Sequence, residues 1–274
     1  MHKINRKIRR AAIKFFRSSK KIKRLIRNLD LGSFEFKMEV GALRRNHYAY
    51  ICYNAAKLAK KMGYKKISII EYGVGEGSGL MSLEKYADEI QKIFGIDLEI
   101  YGFDSGKGLP KPVDYRDLPY HWKEGFFSMN EKDLQQKLKK TKLILGDIKE
   151  TSKTFFSKYS PAPIGAIIHD FDFYSSTKIA LSMMNENSNY FLPRIFSYFD
   201  DTIGSEVELY NDYTGERLAI NEFNTNNEDI KICKPYHFLA QPKENWHHQI
   251  WIIHFFKHEK YNLFISQENP KLPF

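Results

Sequence analysis

A chain of 274 residues, 42% hydrophobic and 28% charged, has the apolar content for one sizeable core and too much of it for a disordered chain. No apolar run approaches the roughly 18–20 residues of a membrane-spanning helix, and the charged first thirty residues lack the apolar stretch of a secretory signal. Cys52 and Cys233 stand outside any C-x-x-C spacing, which argues against a disulfide framework or a cysteine zinc site and makes a reducing cytoplasm the expected compartment.

The net charge of +10 is unevenly placed. Of 43 Lys and Arg, twelve fall in residues 1–30 beside one acid, leaving 31 basic and 32 acidic residues for the remainder. The excess charge belongs to an N-terminal arm, residues 1–35, attached to an almost neutral body, residues 36–274. Nucleic acid is disfavoured as a partner, because phosphate binding needs a basic face on the working domain. Within the arm, Ile4, Ile8, Ala11 or Ala12, Phe15, Ile22 and Leu25 or Ile26 recur at helical spacing, with Lys and Arg on the other sides. Such a helix suits an anionic membrane surface, which would hold the protein peripherally at the inner membrane. It equally suits packing on the body, or on a second copy in a homo-oligomer.

Residues 40–63 predict a helix with Leu43, Ile51, Ala55, Leu58 and Met62 near one face and Gly63 as its stop. Short β-branched runs follow at 66–73, 98–104, 142–147, 164–172 and 194–200. Helical stretches separate most of them: one from Leu80 to Phe94 closed by Gly95, one after Asn130 as N-cap, one after the cap signal Ser175-Ser176-Thr177. The alternation implies an α/β fold built from βαβ units around a mainly parallel sheet. The runs at 230–238 and 247–258 predict antiparallel strands that close it.

In an open α/β sheet, ligands bind beyond the carboxyl ends of the strands. The first strand ends in Glu71-Tyr72-Gly73-Val74-Gly75-Glu76-Gly77, whose alternate glycines let the backbone turn tightly and approach a ligand. The same pattern serves nicotinamide, flavin and S-adenosylmethionine, or a tight turn with no ligand. The second strand ends at Asp104-Ser105, where an acid can accept both ribose hydroxyls. Its distance from Gly73 exceeds the ~20 residues of a compact dinucleotide fingerprint. Asp147 ends the third strand, placed either to meet an adenine amino group or to cap the next helix. Asp170, Asp172, Asp200 and Asp201 end the fourth and fifth strands. If those strands are neighbours, the acids converge, and a hard cation such as Mg2+, Mn2+ or Ca2+ would relieve their repulsion. Otherwise Asp200 caps a helix and Asp201 is solvated.

The ordered set Glu71-x-Gly73-x-Gly75, GFDSGKGLP (102–110), LILGDIKET (143–151), DFDFYSST (170–177), FDD (199–201) and GERLAINEF (215–223) resembles the macrocin O-methyltransferase family. The resemblance covers roughly residues 66–225. It implies a Rossmann-like class I methyltransferase fold, with S-adenosyl-L-methionine and Mg2+ as cofactors and a sugar hydroxyl as acceptor. It further implies cofactor binding by Glu71, Gly73, Gly75, Gly77, Asp104, Ser105 and Asp147, metal ligation by Asp170, Asp200 and Asp201, and Asp172 as general base. His121, within the 114–127 stretch expected to lie over the site, is the alternative base. Two departures stand out: Phe171 separates Asp170 from Asp172 where the family usually has Gly, and no Gly-Gly precedes Asp200. An NAD-dependent oxidoreductase accounts for the glycines and Asp104 but leaves the later acids unused. A non-catalytic cofactor-binding protein of the same fold accounts for both.

Overall fold

The computed structural model describes residues 11–240 and 244–266, so the expected arm positions Ile4 and Ile8 lie outside the described residues. The β-branched runs become strands β1 (Lys66–Tyr72), β2 (Asp97–Asp104), β3 (Lys142–Leu145), β4 (Ile164–His169) and β5 (Phe191–Phe199). Two C-terminal strands, β6 (Ile230–Cys233) and β7 (Ile250–Phe255), complete one sheet in the order β3-β2-β1-β4-β5-β7-β6. β1 to β5 pair in parallel. β7 is antiparallel to β5 and to β6, so β6 returns to the direction of the first five.

The helices are α1 (residues 11–18), α2 (Lys20–Asn28), α3 (Phe34–Glu39), α4 (Asn46–Lys61), α5 (Ser78–Phe94), α6 (Glu131–Lys137), α7 (Ile148–Tyr159), α8 (Tyr174–Ser182) and α9 (Gly215–Asn226). Strand alternation sends Ile67 and Ile69 of β1 to one side, where Cys52, Ala55, Leu80, Leu83 and Ile90 of α4 and α5 cover them. Ile70 and Tyr72 go to the other side, against Phe155, Leu181 and Ile220 of α7, α8 and α9. A strand covered on both faces must be apolar along its length, which explains the near-continuous runs in β1 and β4. The chain has the expected α/β architecture. Strand order reverses between β1 and β4, and this switch point fixes where a ligand crevice opens.

Two helix starts differ from the sequence expectation. The helix expected from residue 40 begins at Asn46, because Gly41 (φ 72°) and Arg45 (φ 39°) take left-handed conformations that no α-helix accommodates. Helix α8 begins at Tyr174, which puts Ser175 and Thr177 inside it, and its N-cap residue Phe173 offers no side-chain acceptor. Asp117, distant in sequence, substitutes: its carboxylate accepts the Ser175 N–H at 2.9 Å and the Ser175 hydroxyl at 2.9 Å.

The described part of the arm lies on the body through a stripe that keeps the expected Ile22 and Ile26 but not Phe15. Ile26 is buried with Val40 and Ala42, and Ile13, Phe16, Ile22 and Phe36 pack beside them. Phe15 and Leu25 face outward. Phe34 of α3 joins the main core.

Packing leaves no room for a side chain on Gly165, where α4 lies against β4. A Cβ on Gly165 would meet Ile67 at 2.8 Å, Leu192 at 3.1 Å and Ala55 at 3.3 Å. Gly165→Val is expected to destabilise the fold by about 1–3 kcal/mol through overpacking. Urea unfolding monitored by circular dichroism measures it, and an unchanged midpoint would contradict this account of the α4–β4 contact.

Candidate active site

A cavity of ≈ 790 Å³ opens at the carboxyl ends of β1, β2, β4 and β5. Its floor begins with the glycine loop, where the three glycines do different work. A Cβ on Gly73 (φ 75°) would lie 1.7 Å from the Asp170 carbonyl oxygen, and one on Gly77 (φ 79°) would lie 2.1 Å from Leu134. Both are packing glycines, although Gly73 also reaches the lining. Gly75 (φ 51°) has open space where a Cβ would be, and it lines the cavity. Only there does backbone face a ligand unobstructed.

Asp104 fastens this loop. Its Oδ2 accepts the N–H groups of Val74 (2.8 Å) and Gly75 (3.1 Å), and Oδ1 accepts that of Gly106 (2.7 Å). Ser105 Oγ donates to the Gly108 carbonyl at 2.7 Å and shapes the next turn. Asp147 accepts the Lys149 N–H at 2.8 Å as the N-cap of α7, and it also lines the cavity. Glu71 is placed differently from its neighbours. It is buried beneath the loop and outside the lining, with one oxygen accepting from Tyr48 Oη (2.9 Å) and the other unpartnered. A Cβ on Gly79 would collide with it at 1.8 Å, so α5 starts directly over this carboxyl group.

The far wall is acidic. Asp170, Asp172, Asp200 and Asp201 all line the cavity, which confirms the expected adjacency of β4 and β5. Asp172 is buried in a left-handed conformation (φ 60°), and its N–H donates to Asp201 Oδ2 at 2.8 Å. Asp201, buried rather than solvated, also accepts from Tyr210 Oη at 2.7 Å. Asp200 accepts from Tyr198 Oη and, at 3.0 Å, from Gln249 Nε2. Burial and the neighbouring acids push Asp170 well above the usual carboxylate range, Asp172 up to about 9 and Asp201 up to about 7. Among the described residues, no three His, Cys, Asp or Glu side chains close into a ligand cage. The donors are hard oxygens in carboxylate excess, and in chemistry they fit a divalent cation such as Mg2+.

Two contributing residues are given no role by the sequence. Glu216 is fully buried, and its Oε2 accepts the Asp201 N–H at 3.0 Å. Arg45, within the range expected to be helical, instead precedes α4 and is a cation facing this wall. It donates to Ser78 Oγ at 2.6 Å, and Glu71, Asp170 and Asp200 raise its pKa against the opposing effect of burial. Its left-handed backbone is the only unusual feature, and that is visible in three dimensions alone.

The 114–127 stretch roofs the cavity, with Trp122, Glu124 and Phe127 in the lining. Asp117 pins this segment to α8, also accepting the Val113 N–H at 2.9 Å. Tyr120 Oη donates to the Glu208 carbonyl at 2.6 Å, joining the roof to residues 203–213. His121 stays outside the lining, with Nε2 4.0 Å from Glu208 Oε1. His169 is buried in the core, stacked on Phe199, and burial lowers its pKa to about 3.

No protein-family model and no curated protein matches the chain. Among solved structures, the calicheamicin methyltransferase CalS11 superposes with a TM-score of 0.53 at 17% identity, covering 85% of this chain and 90% of that one. The O-methyltransferase NovP gives 0.46 at 12% identity over 74% and 78%. The plantazolicin methyltransferase BpumL, solved in complex with SAH, gives 0.36 at 15% over 89% and 98%. The chain thus has the Rossmann-like class I methyltransferase fold, on the strength of the CalS11 superposition and the strand order.

Burial raises the Glu71 carboxyl to about 7, against the lowering effect of Tyr48 and Arg45. Because the folded form holds its proton longer than the unfolded one, its contribution is largest below the ordinary carboxylate pKa of about 4.3 and is lost as pH rises to about 7. Glu71→Gln is expected to flatten this slope and to be relatively more stable by about 1–3 kcal/mol at pH 8 than at pH 4. Urea titrations at both pH values compare the two proteins; parallel slopes would place Glu71 in a more polar setting.

Proposed function

We propose that this protein is an S-adenosylmethionine- and Mg2+-dependent O-methyltransferase acting on a hydroxyl of a sugar or glycan-related small molecule. The observation that carries the reading is a single cavity with the Gly75–Asp104–Asp147 floor at one end and the Asp170–Asp172–Asp200–Asp201 wall at the other. An oxidoreductase would use the first half and leave the second idle. The fold-level likeness to a calicheamicin methyltransferase agrees with the proposal.

Bound at this site, the cofactor would supply the sulfonium methyl, and Mg2+ ligated by Asp170, Asp200 and Asp201 would lower the pKa of the acceptor hydroxyl. The residues supply placement, the main source of rate in an in-line displacement. Gly75 leaves room for close approach, while Asp104 can still accept from a ribose hydroxyl, since its two oxygens offer about four acceptor sites and three are used. Asp147 lies where an adenine amino group can be met. Arg45 puts positive charge beside the loop, suited to the cofactor's carboxylate. Asp172, on the lining between the other acids, would take the proton from the acceptor hydroxyl once a bound cation had lowered the raised pKa of this carboxyl group. His121, at the rim, is assigned a positioning role through Glu208.

Gly75→Val would project two methyl groups into the cavity. It is expected to weaken S-adenosylmethionine binding at least about tenfold, the effect of a ~1.4 kcal/mol loss, and to lower stability by about 1–3 kcal/mol, because a β-branched residue is strained at φ 51°. Isothermal calorimetry tests this, and unchanged affinity in a folded variant would count against the cofactor placement.

Asp201→Asn should preserve cofactor affinity while lowering methyl transfer to a sugar acceptor by about 100-fold or more. Chelation by EDTA should have the same effect, reversed by Mg2+. Equal turnover after exhaustive chelation would remove the metal from the proposal and leave Asp170 and Asp172 as acid–base groups alone.

A further inference from the structure

The arm has two faces with opposite chemistry. On the inner face, Ile26 is buried against Val40 and Ala42, and three cations point the same way. Arg17 Nε donates to the Glu39 carbonyl (2.7 Å), Arg27 Nε to the Ala42 carbonyl (2.6 Å), and Lys23 pairs with Glu244 at 3.3 Å. These contacts hold α2 in a fixed orientation on the body.

The outer face is therefore presented rather than left free to fold inward. It carries Lys14, Lys20, Lys21 and Arg24, all exposed and, among the described residues, in no ion pair or side-chain hydrogen bond. Among them stand Phe15 (62% exposed), Leu25 (54%), Leu29 (60%) and Leu31 (47%). Unpaired cations and large apolar side chains are thus interleaved along one segment. No helix among the described residues is long and apolar enough to cross a bilayer.

We infer that this outer face docks the protein flat on an anionic lipid surface. Headgroup phosphates meet the lysines and Arg24, while Phe15, Leu25 and Leu29 enter the boundary between headgroups and acyl chains. The apolar members decide between partners. Nucleic acid would use the cations and leave exposed phenyl and leucyl groups in water, and it would meet an almost neutral body. A second copy packed by a two-fold axis would bring the same four cations against one another, since such an interface presents one patch to itself.

The test uses the full chain and vesicles of phosphatidylcholine, either pure or with about one third phosphatidylglycerol. The wild-type protein should co-sediment with the mixed vesicles and not with the pure ones. The charge reversal Lys20→Glu/Lys21→Glu/Arg24→Glu and the polar variant Phe15→Ser/Leu25→Ser/Leu29→Ser should each lower apparent affinity at least about tenfold. Thermal unfolding of both should match wild type, because every altered side chain is exposed. Absence of wild-type binding, or equal binding to both vesicle types, overturns the inference. So does a polar variant that binds as well as wild type, which would leave a general polyanion site. A concentration-dependent dimer, dispersed by the same substitutions and with no vesicle binding, would assign the face to a second copy instead.

Discussion

Five carboxyl groups, those of Asp170, Asp172, Asp200, Asp201 and Glu216, are held together where β4 and β5 end, and their mutual repulsion is the constraint on this part of the fold. Two like charges about 4 Å apart repel by roughly 4 kcal/mol at an effective dielectric near 20. The partners gathered around Asp200 and Asp201 are neutral: the Tyr198 and Tyr210 hydroxyls, the Gln249 amide and the Asp172 N–H. Neutral donors offset lost hydration but leave the net charge standing. Two outlets remain, protonation and a facing cation. The raised pKa values of Asp170, Asp172 and Asp201 express the first, and Arg45 partly provides the second.

Much of the surrounding architecture is what allows such a wall to exist beside the glycine loop. β4 can end against β1 only because Gly73 has no side chain where the Asp170 carbonyl passes. The strand switch between β1 and β4 then places loop and wall on one cavity instead of opposite edges of the sheet. The roof depends on the same region: Asp117 ties residues 113–117 to the start of α8, the helix that follows Asp172. Disturbing the roof therefore disturbs the turn that carries the candidate base.

The strands were legible because β-branched runs between helices have few alternative structures, and acids at their ends were legible because a strand end is a fixed place in an α/β sheet. Local pattern failed where the determining contact was distant. Ser175 has the local signature of a helix cap, yet the helix is capped by Asp117 from a separate loop. Arg45 falls within the stretch that reads as helix, yet its left-handed backbone ends that stretch and its side chain faces the acids. Glu216 sits in a helical motif like any surface acid, and its burial follows from α9 crossing beneath Asp201. In the arm, period alone leaves Leu25 and Ile26 as alternatives and admits Phe15; the packed face takes Ile22 and Ile26, with Ile13 and Phe16 in place of Phe15. Spacing tells which residues share a side of a helix; the body decides which side is inward.

The two ends of the cavity differ in what holds them. At the floor, Asp104 accepts three backbone N–H groups and Asp147 caps its helix, so the geometry there is already held by local hydrogen bonds. Little reorganisation is needed for a ligand to enter, and preorganisation of this kind favours tight binding. At the wall, hydrogen bonds hold positions while the clustered carboxyl groups hold their protons to higher pH. Substitutions at the floor therefore act on a geometry held by backbone hydrogen bonds, whereas those at the wall act on the protonation of a coupled set of carboxyl groups.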